Sequence, residues 1–472
     1  MSTRWGFGAL GWLLVVTLLF VAPSPASASR PLTTGLAAIS DKWGFDHAAR
    51  AKASIARDTV NWSATAPHRP VLPRNPADPA YNWTVTDDFV KNASRRGLTV
   101  LLTVYRAPAW AEGPGSQNAR HDGTWKPDPG ALEDFAHALA TRYSGSYRPV
   151  PLKTKPLRLP RVRYYEAWTE PNLSQLLEPQ WENGKPASPG IYRGLANAVS
   201  AGVKSVHSDN RVMGPGLAPY GDARGAKPGP NGPRMRPIYF LRDLFCLKGK
   251  KKLRHRKGCS AKTHLDLVSH HPINSSGAPT RHARNRDDAS SADLGRVRKV
   301  VRAAVKTGSL LPKKPHQLWA TETWWESKPP SGRGVPPKRQ AQWMEQALYL
   351  FWKGGASAVI QQPLRDGTHP GSGYGGGLYF SDGKAKPALK AFRFPFVGNR
   401  HSKRKATAWG KAPKRGKLKI QRKHGKHGWK TVKRLRVRDG QVFQKRLKIR
   451  GKAKLRAKVG KSKSLVWKLK RK

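Results

Sequence analysis

The chain has 472 residues, a formal net charge of +61 from 89 lysines and arginines against 28 acidic residues, and only two cysteines. That length suits one large domain plus a small one, and a field of that sign draws in polyanions: nucleic acid, teichoic or uronic polymers, or an anionic membrane surface. Two cysteines exclude a cysteine-built metal centre, since His255 alone does not complete a ligand set.

The chain opens with a signal-peptide pattern over residues 1–29. Arg4 precedes an uncharged apolar run at residues 10–21, and Ala26-Ser27-Ala28 offers an A-x-A cleavage site. A retained N-terminal anchor is the alternative, but the run is short for a bilayer span. No later segment approaches 18 apolar residues. The mature chain is therefore expected to be secreted, without a transmembrane segment, and possessing no specific nucleic-acid role, because export conflicts with a nuclear or ribosomal one.

Between residues 35 and 397, short apolar β-branched runs alternate with amphipathic stretches, the pattern of βα units. The predicted strands are residues 36–39, 54–60, 98–104, 162–168, 212–214, 265–269, 318–321 and 358–361. Helical stretches include residues 86–96, 129–143, 191–206, 292–305 and 338–352. Asp128-Pro129 reads as a helix start, and Gly97 as the end of the helix before it. Eight such repeats predict an α/β fold, a (β/α)8 TIM barrel over residues 30–399. A doubly wound sheet would need a Gly-rich phosphate loop after a strand, and none is present. Residues 112–126, 148–161, 221–237 and 275–288 form long Pro-, Gly- and Arg-rich connections. Those that follow strands belong over the catalytic face, whereas 148–161 precedes a strand and belongs on the opposite one. Cys246 and Cys259 are expected to close a small disulfide loop around the basic stretch 248–257.

After residue 400 the period changes to two. Leu418 and Ile420, Leu435 and Val437, Leu447 and Ile449, and Leu455, Ala457 and Val459 alternate with polar residues, with glycine turns between the runs. This predicts a small all-β, sandwich-like domain over residues 400–472. Its polar positions are almost entirely cationic: 30 lysines and arginines face the single Asp439. A disordered basic tail would not carry so regular an apolar alternation.

Two carboxylates stand at strand ends. The fourth strand leads into Tyr165-Glu166-Ala167-Trp168-Thr169-Glu170-Pro171-Asn172, and the seventh into Leu318-Trp319-Ala320-Thr321-Glu322-Thr323-Trp324-Trp325. Barrel enzymes carry their chemistry at the C-terminal ends of strands. Glycosidic cleavage needs two carboxyl groups, one to protonate the leaving oxygen and one to attack or activate water. Trp168, Trp324, Trp325, Tyr105 and Trp110 also lie at strand ends, where indole and phenol rings can pack against sugar C–H faces.

Over residues 35–397 the chain resembles the clan A glycoside hydrolases, retaining TIM-barrel β-glycosidases with catalytic glutamates on strands four and seven. Residues 57–62 (RDTVNW) resemble the second-strand arginine segment, and Tyr105-Arg106-Ala107-Pro108-Ala109-Trp110 the third-strand turn. Trp168-Thr169-Glu170-Pro171-Asn172 is similar to the family's W-N-E-P-N, Gly216-Leu217-Ala218-Pro219 to its fifth-strand turn, and His270-His271-Pro272 to its sixth-strand H-P-Y. Ala320-Thr321-Glu322, with Trp324 and Trp325, is similar to its nucleophile segment. The resemblance implies Glu170 as acid/base, Glu322 as nucleophile, and Arg57 orienting the nucleophile. It implies His271 or His270 and Trp325 lining the sugar subsite, a carbohydrate substrate, and no metal or organic cofactor. Thr169 departs from the family's Asn, which bonds the sugar 2-hydroxyl, and Ile273 from its Tyr. These departures support an alternative, a non-catalytic carbohydrate or cell-surface binding protein on a glycosidase-like barrel. The basic C-terminal region adds an anionic cell-wall or extracellular polymer as an expected partner. Trp43, Trp62, Trp83 and Trp343 read as core packing, Glu166 as structural, and Glu326 and Asp366 as neutral candidates near the catalytic face.

Overall fold

The computed structural model describes residues 29–149, 158–223, 225–274, 277–369, 374–425 and 428–471. The signal peptide expected at residues 1–29 lies outside them except for Ser29, as does most of the 148–161 connection.

Eight strands alternate with eight helices. β1 is Thr33–Ala37, β2 Ile55–Asn61, β3 Thr99–Tyr105, β4 Tyr164–Ala167, β5 Arg211–Leu217, β6 Leu267–His270, β7 Gln317–Thr323 and β8 Ala356–Gln361. The helices that follow them in turn are α1 Lys42–Arg50, α2 Thr84–Arg95, α3 Pro129–Arg142, α4 Ser188–Val206, α5 Pro237–Leu244, α6 Leu294–Thr307, α7 Pro337–Gly354 and α8 Pro387–Arg393. All eight strand pairings are parallel, and the sheet closes in the order β1-β8-β7-β6-β5-β4-β3-β2. This is the expected (β/α)8 barrel. Every predicted strand overlaps an observed one; α1, α5 and α8 are short helices that the sequence reading passed over. Local chemistry sets the helix ends. The Asp128 carboxylate accepts from the N–H groups of Gly130 and Ala131 at 2.7 and 3.0 Å ahead of α3, and Gly97 turns the chain after α2 with φ of 68°.

Inside the barrel the strands build layers. Ile55, Leu101, Tyr164, Met213, Leu267 and Trp319 form an apolar layer. One pleat further along their strands, two residues on, stand Arg57, Thr103, Glu166, Ser269 and Thr321, a polar layer directly beneath the C-terminal mouth.

A second region follows α8. β9 (Phe396–Arg400), β10 (Lys405–Lys411) and β13 (Val442–Lys448) form one antiparallel sheet in the order β9-β10-β13. β11 (Gly416–Lys423), β12 (Trp429–Val437), β14 (Ala453–Val459) and β15 (Ser462–Lys463) form another, with β16 (Trp467–Leu469) also on β14. Phe396, Ala408, Phe443 and Leu447 from the first sheet share one core with Leu418, Ile420, Leu455 and Val459 from the second. Its first strand starts at Phe396, ahead of the boundary expected at residue 400. The region sits firmly on the barrel: Trp409 is fully buried against Tyr349 and Trp352 of α7, and Lys411 Nζ donates to Thr34 Oγ1 at 2.8 Å. Cys246 and Cys259 are disulfide-bonded, as expected.

Candidate active site

The polar layer is organised around Arg57. Its guanidinium is fully buried, and Nε donates to Glu166 Oε2 at 2.9 Å and to Thr103 Oγ1 at 3.0 Å. Nη1 reaches upward to Glu322 Oε1 at 2.7 Å. Glu166 also accepts from Thr103 Oγ1 at 2.8 Å and Thr321 Oγ1 at 3.1 Å. Burial pushes the Glu166 carboxyl up, but Arg57, His271 and these hydroxyls outweigh it and hold the group below the usual carboxylate range. Burial likewise works against the Arg57 cation; Glu166 and Glu322 overcome it and fix the charge.

Above this layer three side chains converge. His271 Nδ1 lies 2.8 Å from Glu170 Oε1 and 3.7 Å from Glu322 Oε2. One atom from each of Glu170, His271 and Glu322 falls within 4.8 Å of the others. Burial pulls the His271 imidazole down, yet the two glutamates raise it above its ordinary value against the opposing charge of Arg57. These three groups have the ligand types for a metal ion. A cation there would have to displace the imidazole proton that both carboxylates favour and sit beside the Arg57 guanidinium, so the local charge opposes it.

Each of the three stands at a break in strand regularity. Trp168 and Glu170 adopt φ of 64° and 42°, a region bulky residues rarely enter, and this swings the chain after β4 so that the Glu170 N–H meets Gly216 O at 3.1 Å. The pairing of β7 with β8 shifts between Ala320 and Thr323, around Glu322. The pairing of β6 with β5 shifts between Ser269 and His270, just before His271. Such shifts re-aim side chains, which is why bulges gather beside active sites.

A cleft of about 470 Å³ opens beside Glu170, walled by Leu173, Tyr220, Arg234, Ile273 and Trp324. A second, of about 480 Å³, lies over the ends of β1 and β8, where Trp43 stands between His47 at 3.8 Å and Arg365 at 4.7 Å.

The predicted residues divide accordingly. Glu170, Glu322, Arg57 and His271 come together, and Trp324 faces the cleft. Three assignments need correction. Trp168 and Trp325 are buried, with their indole N–H groups on Leu176 O and Gly277 O at 2.6 and 3.0 Å, so they brace the loops and offer no ring to a sugar. His270 is buried with Nε2 against Ala289 O at 2.7 Å, and burial pushes its imidazole down to about 4, the state of a neutral core histidine. Trp110 stays half-exposed after β3, giving its N–H to Ala66 O at 2.9 Å with the Arg69 guanidinium 5.6 Å from its ring. Tyr105 is half-buried at the end of β3 and packs on the barrel core; Thr169 is buried after β4. Asp366 is buried in an ion pair with Lys386 at 2.7 Å. Among the predicted core residues, Trp62 and Trp83 are buried, while Trp343 packs half-exposed on the core. The sequence reading missed Tyr220, which directly follows the fifth-strand turn, and the contribution of Glu166, which stands two residues beyond Tyr164 on the face that the fold turns inward.

No family model matches the chain, and no curated protein matches its sequence. Solved structures do match. A family 39 glycoside hydrolase from Bacteroides cellulosilyticus WH2 superposes with a TM-score of 0.53 at 17% identity, over 89% of this chain and 81% of that one. The two chains share a closed (β/α)8 barrel. A glucosidase from Croceicoccus marinus superposes with a TM-score of 0.50 at 14% identity, over 90% of this chain and 94% of its own. At these identities the likeness concerns the fold, and the case for chemistry rests on the residues. Among the described residues, no helix is long and apolar enough to cross a membrane.

Proposed function

We propose that the protein hydrolyses O-glycosidic bonds of a polysaccharide or oligosaccharide with retention of configuration, Glu170 acting as acid/base and Glu322 as nucleophile. The observation that carries this reading is the pairing of the two carboxylates across the barrel mouth, with an oxygen of each within 4.8 Å. Retaining enzymes hold their carboxyl groups about 5–5.5 Å apart, whereas inverting ones leave room for a water between them. The shared fold of a family 39 glycoside hydrolase and a glucosidase supports the same reading.

In the proposed first step Glu170 gives its proton to the leaving oxygen while Glu322 attacks the anomeric carbon; the C–O bond breaks and a glycosyl ester forms. In the second, a water gives its proton to Glu170 and its oxygen to the anomeric carbon, releasing Glu322 as the carboxylate. Arg57 aims Glu322 through its 2.7 Å hydrogen bond, and His271 steadies Glu170 between the steps. The aromatic and apolar walls at Tyr220, Ile273 and Trp324 offer surfaces for a sugar ring.

Location and retention are part of the proposal: export by the leader at residues 1–29, and attachment to an anionic polymer through the basic C-terminal region. A second reading, glycan binding without turnover, draws on Thr169 and Ile273. Screening aryl β-glycosides and plant or microbial polysaccharides separates the two. Glu170→Ala and Glu322→Ala should each lower turnover by roughly 10³-fold or more, and an activated 2-fluoro glycoside should leave a covalent adduct on Glu322. Unchanged turnover in either variant refutes the assignment, and binding with no turnover by the parent protein selects the second reading.

A further inference from the structure

We infer that the outer face of the β12-β11-β14 sheet is a docking platform for a polyuronate-type anionic glycan. This rests on the anionic-polymer reading above and narrows it to one surface. Along β11 and β14, Leu418, Ile420, Leu455, Ala457 and Val459 turn inward to the core, so the alternate positions turn outward. The strand register then fixes which cations meet. Lys417 lies opposite Arg436; Lys419 lies between Arg434 and Lys458, and Lys458 lies opposite Lys463. Lys454 lies opposite Lys468, and Arg456 opposite Gln421. The result is a lattice of cations about 5 Å apart across the strands and about 7 Å apart along them.

Among the described residues nothing neutralises it. The only acidic residue of 401–472 is Asp439, which pairs with Lys52 on the barrel at 3.5 Å. Among the described residues, none of the cations on this face makes an ion pair. Arg456 alone is engaged, donating to Gln421 Oε1 at 2.9 Å and lying 4.0 Å from the Trp429 ring centroid. Like charges directly opposite on adjacent strands destabilise a sheet. Any polar side chain would satisfy the fold at these positions, so the uniform choice of Lys and Arg points outward, to a polymer with repeating negative charge.

Three observations favour a glycan. Trp429, the aromatic beside the lattice, has Arg456 over its ring, whereas single-stranded nucleic-acid sites offer free aromatic faces for bases. Among the described residues, the exposed large apolar side chains of this region are only Val432 and Val466, too little apolar surface to enter a bilayer. The domain is also packed on a barrel of glycoside hydrolase fold, where a tethered substrate polymer gains effective concentration.

The test compares two triple variants of the full chain with equal charge loss. Lys419→Gln/Arg434→Gln/Lys458→Gln empties the central row. Lys403→Gln/Lys414→Gln/Arg415→Gln removes three exposed loop cations elsewhere in the domain. Binding to polygalacturonate is measured across a salt series, with dextran, single-stranded DNA and anionic vesicles as comparison ligands. The central-row variant should bind at least tenfold more weakly and lose about two units of the salt-dependence slope, while the loop variant changes less than threefold. The central-row variant should also melt no lower than the parent, since removing facing charges relieves repulsion. No polygalacturonate binding by the parent at low salt overturns the anionic-polymer reading itself. Equal weakening in the two triples overturns only the face assignment, and tighter row-dependent binding of DNA or vesicles overturns the choice of a glycan.

Discussion

Replacing Arg57 with methionine probes the buried half of the site. The guanidinium serves two carboxylates with unequal access to water: Glu322 stands at the mouth, while Glu166 is wholly enclosed. When the cation goes, solvent can take over at Glu322 but not at Glu166. Removing one partner of a buried ion pair costs about 3–5 kcal/mol. Glu166 would keep hydroxyl donors from Thr103 and Thr321 at 2.8 and 3.1 Å, so the lower end applies, about 3 kcal/mol at pH 7. The pH dependence follows from linkage. In the parent, Glu166 titrates below its ordinary range, so its contribution is present at neutral pH and lost as pH falls through the folded value. In the variant, burial works against only the hydroxyls and His271 and raises the carboxyl; the fold then gains by taking up a proton, and the penalty shrinks on acidification. Arg57→Met/Glu166→Gln removes the stranded charge and should recover roughly half of the loss or more. Urea midpoints at pH 7 and pH 5 report all three quantities. A penalty that grows toward acid, or a double variant as unstable as the sum of the singles, would refute the reasoning.

Two further outcomes are expected. The carboxylates raise His271, so its stabilising contribution is complete below its ordinary value of 6.5 and fades as pH rises through the folded value. His271→Gln should abolish that alkaline loss of stability and lower turnover by roughly 10²-fold; thermal melts and kcat across pH 6–10 would show both. Burial pushes Lys411 down to about 8 from 10.5, so its charged form burdens the fold below pH 8. Lys411→Met should stabilise the protein at pH 7 by about 1–3 kcal/mol after loss of the Thr34 hydrogen bond. That gain should shrink between pH 8 and 10.5, and a melting temperature unchanged at pH 7 would contradict it.

The barrel was legible because each strand is a short apolar run closed by a loop signal, and because two acids at strand ends are conspicuous in so basic a chain. Other features were not, for physical reasons. Parallel barrel strands are buried on both faces, so alternation alone does not say which residues, such as Glu166 and Thr321, enter the interior. An aromatic beside a strand-end acid reads the same whether it contributes to the cleft wall, as the largely buried Trp324 does, or is wholly enclosed, as for Trp168 and Trp325. Positive φ at Trp168 and Glu170 runs against the preference of both residue types and leaves no trace in composition. β10 carries its buried surface on small residues, Ala406, Ala408 and Gly410, around a single Trp409, too weak a stripe to mark a strand.

The seating of Trp409 bears on how this chain can be divided. A cut at residue 400 would leave β9 without β10, presenting a bare row of backbone donors and acceptors to any passing strand. It would also lay open Tyr349 and Trp352 on α7. A barrel trimmed there is expected to aggregate even with its C-terminal mouth intact, so the two regions are best produced and handled as one piece.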